Sequence, residues 1–371
     1  MTSAAYFASS YAKARAQFLQ AAADNGLSVD SYAIEAHVGL EGETLTTDVV
    51  RLGPASAGRL LVTTSGTHGV EGFCGSASQI ALLHDQGLRA LLDQSNVAIL
   101  VVHAINPYGF SYLSRTNEDN VDLNRNSIDF SQPLPVNAAY DELHALLVPA
   151  EWPPTAENAA AIADYIERRG RAAYQAALTT GQYRHADGMF YGGVGATWST
   201  QLLQTLLARH AADADHIGWI DFHTGLGPYG HGEKILAGRA DEAELARARD
   251  WWGADLASPL DGTTVASNIA GPVQDTLRRF VAQTQASATA IAIEYGTVPL
   301  IDMLHMLRAD SWVRQNPQAP RQTLDAVRHE IRAAFYFEDD LWRGMILGQA
   351  RAAILQGVLG LARATASRQP K

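Results

Sequence analysis

His68 and Glu71 stand three residues apart in Ser65-Gly66-Thr67-His68-Gly69-Val70-Glu71-Gly72, directly after the apolar run Arg59 to Thr64. Two side chains at i and i+3 on a turn that enters a helix point the same way. Neutral imidazole and carboxylate suit Zn²⁺, which in catalytic sites takes three protein ligands and keeps one position for water or substrate. A third ligand is required, and His223 is the best candidate. In Gly218-Trp219-Ile220-Asp221-Phe222-His223-Thr224-Gly225 an apolar strand again ends on a histidine and breaks into glycine. An isolated H-x-x-E is a weak signal. Two histidines at two strand ends are stronger, because ligands of open α/β sheets collect beyond the carboxyl ends of strands.

Between these segments lies His103-Ala104-Ile105-Asn106-Pro107-Tyr108-Gly109-Phe110, then Arg115, then Asn120-Val121-Asp122-Leu123-Asn124-Arg125-Asn126. Arginine meets a carboxylate with a planar fork and an adjacent asparagine adds a donor, so Asn124 and Arg125 form a candidate carboxylate clamp. Arg115 can supply positive charge to an oxyanion. Glu294 in Ala290-Ile291-Ala292-Ile293-Glu294-Tyr295-Gly296 ends another apolar strand. A carboxylate there can take a proton during attack and return it to a leaving nitrogen. His103 and His231 also lie near strand ends, as possible partners of the site or as buried histidines satisfied by hydrogen bonds.

These residues need a frame to hold them. Residues 4 to 25 recur at helical spacing and stop at Gly26. Ser31 to Val38 and Leu45 to Leu52 alternate like half-exposed strands, whereas Arg59 to Thr64 and Val97 to Val102 are continuous apolar runs suited to burial on both faces. A helix over about Phe73 to Leu92, broken near Gly87, separates the last two, giving strand, helix, strand and a parallel core. Pro135 to Leu178 is alanine-rich and helical around Trp152-Pro153-Pro154, and Ser199 to His210 is helical; both are expected to pack on the sheet. Strands return at His216 to Phe222, Lys234 to Ala237 and Ala288 to Ile293, with a helix over Asp241 to Trp252. After Pro299 the chain is helical to a polar tail, Thr365 to Lys371, expected to fray. No linker or repeat divides the chain, so one domain over residues 1–371 is expected, with a motif-bearing core of about 55–300 and C-terminal helices of about 299–363.

Lys and Arg number 28 against 39 Asp and Glu, a net charge of −11. Without a basic stripe, nucleic acid and anionic membrane surfaces are not expected partners. The single cysteine, Cys74, excludes an internal disulfide framework and a thiolate zinc site. No signal-peptide pattern opens the sequence and no run of about 18 apolar residues is free of charge, so a cytoplasmic protein without a membrane span is expected. Gly225-Leu226-Gly227-Pro228-Tyr229-Gly230 spells G-x-G-x-x-G but lacks the helix that a dinucleotide fingerprint requires. Neither a G-x-S-x-G elbow nor a P-loop occurs.

Thr67-His68-Gly69-Val70-Glu71, Asn106-Pro107-Tyr108-Gly109, Asp122-Leu123-Asn124-Arg125-Asn126, Asp221-Phe222-His223 and Ile293-Glu294-Tyr295-Gly296 together resemble the ordered motifs of the zinc carboxypeptidase superfamily. Carboxypeptidase A and the succinylglutamate desuccinylase and aspartoacylase group belong to it, and the overall likeness is to an uncharacterised bacterial branch. The resemblance implies an α/β fold with a mixed, largely parallel central sheet of about eight strands flanked by helices. It implies one Zn²⁺ per chain held by His68, Glu71 and His223, Arg115 polarising the scissile carbonyl, Asn124 and Arg125 gripping the substrate carboxylate, and Glu294 as general base and acid. Digestive carboxypeptidases carry a mobile tyrosine between the third ligand and the glutamate; here no tyrosine occurs between Tyr229 and Tyr295. The Thr-His-Gly opening of the first motif looks more like the deacylase group.

The expected function is a zinc-dependent hydrolase that cleaves an amide next to a free carboxylate, most simply a metallocarboxypeptidase acting on short peptides. An N-acyl amino acid deacylase is the alternative within catalysis. A non-catalytic carboxylate-binding module is the alternative outside it, and Glu294 argues against that, since a binder needs no base. Side-chain preference and oligomeric state are not legible.

Overall fold

The computed structural model describes residues 2–264 and 269–364; the expected fraying of Thr365 to Lys371 lies outside them. Among the described residues seven strands form one sheet: β1 (Asp30–Val38), β2 (Thr44–Leu52), β3 (Arg59–Ser65), β4 (Ala98–His103), β5 (His216–Tyr229), β6 (Gly232–Ile235) and β7 (Ser287–Gly296). They lie in the order β1-β2-β4-β3-β5-β7-β6. The four central strands β4, β3, β5 and β7 are parallel, and β1, β2 and β6 join antiparallel at the edges. The mixed sheet is as expected, parallel where it is buried on both faces. G-x-G-x-x-G falls on the end of β5, which leads through a tight turn into β6.

Strand alternation sends successive side chains to opposite faces. Leu61, Ile99, Val101, Ile220, Phe222, Ile291 and Ile293 meet the helices Tyr11–Asp24, Gly72–His84, Glu242–Trp252 and Asp340–Arg363. Leu60, Val62, Leu100, Val102, Trp219 and Ala290 meet the helices Trp198–His210 and Asp275–Val281 on the other face. The break expected near Gly87 falls at Asp85, whose side chain accepts a bond from Leu88 N (3.0 Å) and caps a new helix, Gln86–Ser95. The last helix, Asp340–Arg363, is long and apolar enough to cross a membrane by length and composition, with Arg343 and Arg351 interrupting it. Here it packs against β3, β5 and the helix Gly72–His84.

One expectation is corrected. The helices Ala138–Leu147, Ala156–Arg169 and Arg171–Thr179 do not pack on the sheet. Their buried Tyr140, Leu143, Tyr165 and Leu178 join Met303, Leu307, Trp312, Leu324 and Phe335 in a separate apolar cluster. The sheet faces are already covered, so these helices and the pair Leu300–Gln315 and Arg321–Phe335 bury their apolar stripes against one another. This cluster stands beyond the carboxyl ends of the parallel strands and supplies one wall of the cavity there.

Candidate metal centre

β3 ends at Ser65 and turns through Gly66, whose φ of +65° favours glycine. His68 then stands at the N-cap position of the 3₁₀ turn Gly69–Glu71, without a side-chain capping bond, and the turn runs into the helix Gly72–His84. The i, i+3 spacing thus sets His68 and Glu71 on one side of the turn, as expected. On the neighbouring strand Asp221 and His223 share a face, with His223 in register with Glu294 of β7. The loop carrying Arg115 is bolted to the turn by backbone bonds, Gly69 N to Arg115 O (3.2 Å) and Val70 N to Ser114 O (3.0 Å).

Three groups converge. His68 Nδ1 lies 2.9 Å from Glu71 Oε1, His223 Nδ1 lies 3.1 Å from Glu71 Oε2, and the two Nδ1 atoms are 3.3 Å apart. All three residues are buried. Each imidazole turns its other nitrogen to a carboxylate: His68 Nε2 to Asp122 Oδ1 (3.2 Å) and His223 Nε2 to Asp221 Oδ2 (2.6 Å). Asp122 also accepts from Asn124 N and Arg115 Nε, and Asp221 from Thr64 and Thr67 hydroxyls. Burial opposes the charge on Asp122, but Arg115, Arg125 and His68 hold its carboxyl well below the usual range. A carboxylate oxygen accepts, so each Nε2 is placed to donate, and a ring that gives up its other proton turns an Nδ1 lone pair inward for a metal.

Two inward-facing ring nitrogens and a carboxylate favour positive charge among them, as a proton on a ring or as a cation in its place. Burial opposes charge on His223, yet Asp221 and Glu71 push its imidazole well above the ordinary histidine range. Burial likewise opposes charge on Glu71, and the two histidines hold its carboxyl below the usual range. The cluster therefore attracts a cation. A His₂Glu set braced by carboxylates fits zinc by donor chemistry.

A cavity of about 90 Å³, partly open to solvent, adjoins this cluster. His68, Glu71, Arg115, Asn124, Arg125 and Glu294 all line it, so the structure brings the expected site residues together, with His223 against Glu71 beneath. Arg115 bonds Asp122 Oδ2 (3.0 Å) and approaches Glu71 Oε1 (3.4 Å). Arg125 is buried, donates to the carbonyls of Asn124 and Thr179, and leaves its Nε without a partner. Asn124 Oδ1 accepts from Val273 N (2.9 Å), which leaves Nδ2 as its donor. Burial pushes the Glu294 carboxyl up to about 7, with His223 opposing and Glu71 adding. Its Oε2 is buried and unpartnered.

Asp122 and Asp221 lie inside the quoted motifs, but their bracing role was missed. The period-two spacing Asp221-x-His223 in a strand was the available signal. Phe190, over which Arg115 and Arg125 stack at 4.9 and 5.4 Å, was missed as well; nothing in its neighbours in sequence marks it. His103 hydrogen-bonds Ser76 (2.8 Å) and stacks on Phe18, and neither it nor His231 lines the cavity. Cys74 is buried, and burial raises its thiol well above the ordinary range, which does not suit a nucleophile. Among the described residues no tyrosine lines the cavity.

The chain belongs to the family described as "Protein of unknown function (DUF2817)", whose profile matches residues 7–349. Among curated proteins none matches. Among solved structures it is similar to carboxypeptidase A from Helicoverpa armigera, at 13% identity and TM-score 0.46, over 88% of this chain and 73% of that one. It is similar to bovine thrombin-activatable fibrinolysis inhibitor in complex with tick carboxypeptidase inhibitor, at 13% identity and TM-score 0.43, over 88% and 96%. A candidate metallopeptidase from Shewanella amazonensis gives 17% identity and TM-score 0.40, over 83% and 93%. At scores below 0.5, the roles of individual residues rest on the geometry of this site.

Proposed function

We propose that this chain is a zinc-dependent hydrolase that cleaves an amide bond beside a free carboxylate, as a carboxypeptidase acting on short peptides. The observation that carries the reading is the convergence, in one cavity, of a cation-seeking His68-Glu71-His223 cluster, a carboxylate raised to about 7 and two guanidinium groups. His68, Glu71 and His223 would hold zinc, which when bound polarises a carbonyl and lowers the pKa of water. Glu294 takes the proton of the attacking water and returns it to the leaving nitrogen. Arg115 faces the developing oxyanion. Arg125 and the Asn124 amide hold the substrate carboxylate and so fix which bond meets the base.

A second reading, hydrolysis of an N-acyl amino acid, uses the same clamp and base. The lack of a tyrosine in the cavity lining favours it. A chromatographic screen of short peptides and N-acyl amino acids, with and without added zinc, separates the two. Zinc-dependent release of a carboxyl-terminal amino acid from peptides supports the first, release from acyl amino acids alone supports the second, and no release from either set overturns both.

A further inference from the structure

Gln274 is 1% exposed and lines the cavity, yet neither its Oε1 nor its Nε2 has a hydrogen-bond partner. A buried amide with both ends unpaired is costly, and native interiors rarely keep one without a ligand or an ordered water. The segment around it is held on two sides. Val273 N donates to Asn124 Oδ1 (2.9 Å), one residue from Gln274, and so ties this segment to the carboxylate clamp. Arg239 N donates to Asp275 Oδ1 (3.0 Å) and Arg278 to Ala237 O (2.7 Å), which ties it to the chain just beyond β6. Ile235, Ala237, Ile269 and Ala292 line the same cavity with apolar surface.

We propose that Gln274 is the recognition group of a side-chain subsite that takes a carboxamide, the side chain of glutamine or asparagine, on the same residue whose carboxylate Asn124 and Arg125 hold. This rests on the clamp reading above. An amide offers an acceptor and donors side by side, and a second amide answers both at once. A carboxylate leaves Oε1 facing another acceptor, an ammonium leaves Nε2 facing donors, and an aliphatic side chain leaves both unpaired. A site built to hydrogen-bond a group rejects the analogue that lacks it far more strongly than an apolar pocket rejects an added methylene. The apolar wall packs the methylenes and keeps water from competing.

The test is a panel of substrates that differ only in the residue bearing the free carboxylate: glutamine, asparagine, methionine, leucine and glutamate. The wild-type protein should favour glutamine or asparagine over methionine in kcat/KM by about tenfold or more, and Gln274→Met should reverse that order while its Tm holds or rises. Calorimetric titration of the zinc-loaded protein with free glutamine and free methionine reads the same preference without turnover. If no substrate is cleaved but glutamine binds more tightly than methionine, the subsite stands and the hydrolase reading fails. Equal use and equal binding of methionine and glutamine by the wild type, or an unchanged order in Gln274→Met, overturns the subsite.

Discussion

His68, Glu71 and His223 bring two ring nitrogens and a carboxylate within 3.3 Å of one another. Zinc-replete wild-type protein should therefore hold about one zinc per chain, and His68→Ala and His223→Ala should lose it in elemental analysis. Glu294 sits beside the cluster without belonging to it. Glu294→Gln should keep the metal and lose on the order of 10² to 10⁴ in turnover; loss of zinc in that variant would make Glu294 a ligand. Burial pushes its carboxyl up to about 7, and a base works ionised, so kcat/KM of the zinc-loaded protein should fall along an acid limb that lies below that value. Bound zinc is a nearby positive charge and moves this acid limb lower. At the clamp, amidating the substrate carboxylate removes a charge-assisted contact of about 1.5–3 kcal/mol. That is at least about a tenfold loss in kcat/KM. Arg125→Ala should impair the free acid strongly and the amide hardly at all, because the second loss repeats the first.

The turn that presents His68 and Glu71 is wedged against the helix Pro107–Tyr112. A Cβ at Gly69 would lie 1.9 Å from Gly109 C and 2.2 Å from Phe110 N, both backbone atoms that move only with their helix. Gly69→Ala should destabilise the fold by about 1–3 kcal/mol through overpacking and displace the two candidate ligands. A thermal melt and a zinc assay on the same sample check both effects. Gly195→Ala is the matched control, since its Cβ would meet nothing within 4 Å. Equal zinc affinity in the two variants would show that the turn does not hold the ligands.

Across the whole molecule, stability should depend on pH through His103, which does not line the cavity. Burial lowers its pKa from 6.5 to about 4, against the pull of Asp48. Between these values the unfolded chain binds a proton that the folded chain refuses, so stability is full above 6.5 and is lost progressively as pH falls to about 4. At about 1.4 kcal/mol per pH unit, the interval makes about 3 kcal/mol. Glu294, raised from 4.5 to about 7, tilts stability the opposite way in this window, so the His103 contribution is read in urea unfolding as the difference in slope between wild type and His103→Gln. A slope that persists unchanged in the variant would assign the loss to other groups.

Periodicity and strand-end chemistry were legible in the linear chain, because they are local. All seven strands, the H-x-x-E turn and the glutamate closing β7 follow from alternation and from where apolar runs stop. The helices of residues 138–179 read correctly as helices, but not as a wall of the cavity. Which surface an amphipathic helix covers depends on which faces other segments have already taken, and those segments lie far away in sequence. The same holds for the pairing of His223 with Glu294, for Asp122 and Asp221 behind the imidazoles, and for Phe190 beneath two arginines. Gln274 is the sharpest case: its residue type is unremarkable in sequence, and only burial without a partner, a property of the packed molecule, gives it meaning. Residue types and spacing thus determined what chemistry the chain can do, while tertiary packing decided which groups meet, because burial and hydrogen-bond satisfaction are set by contacts between distant segments.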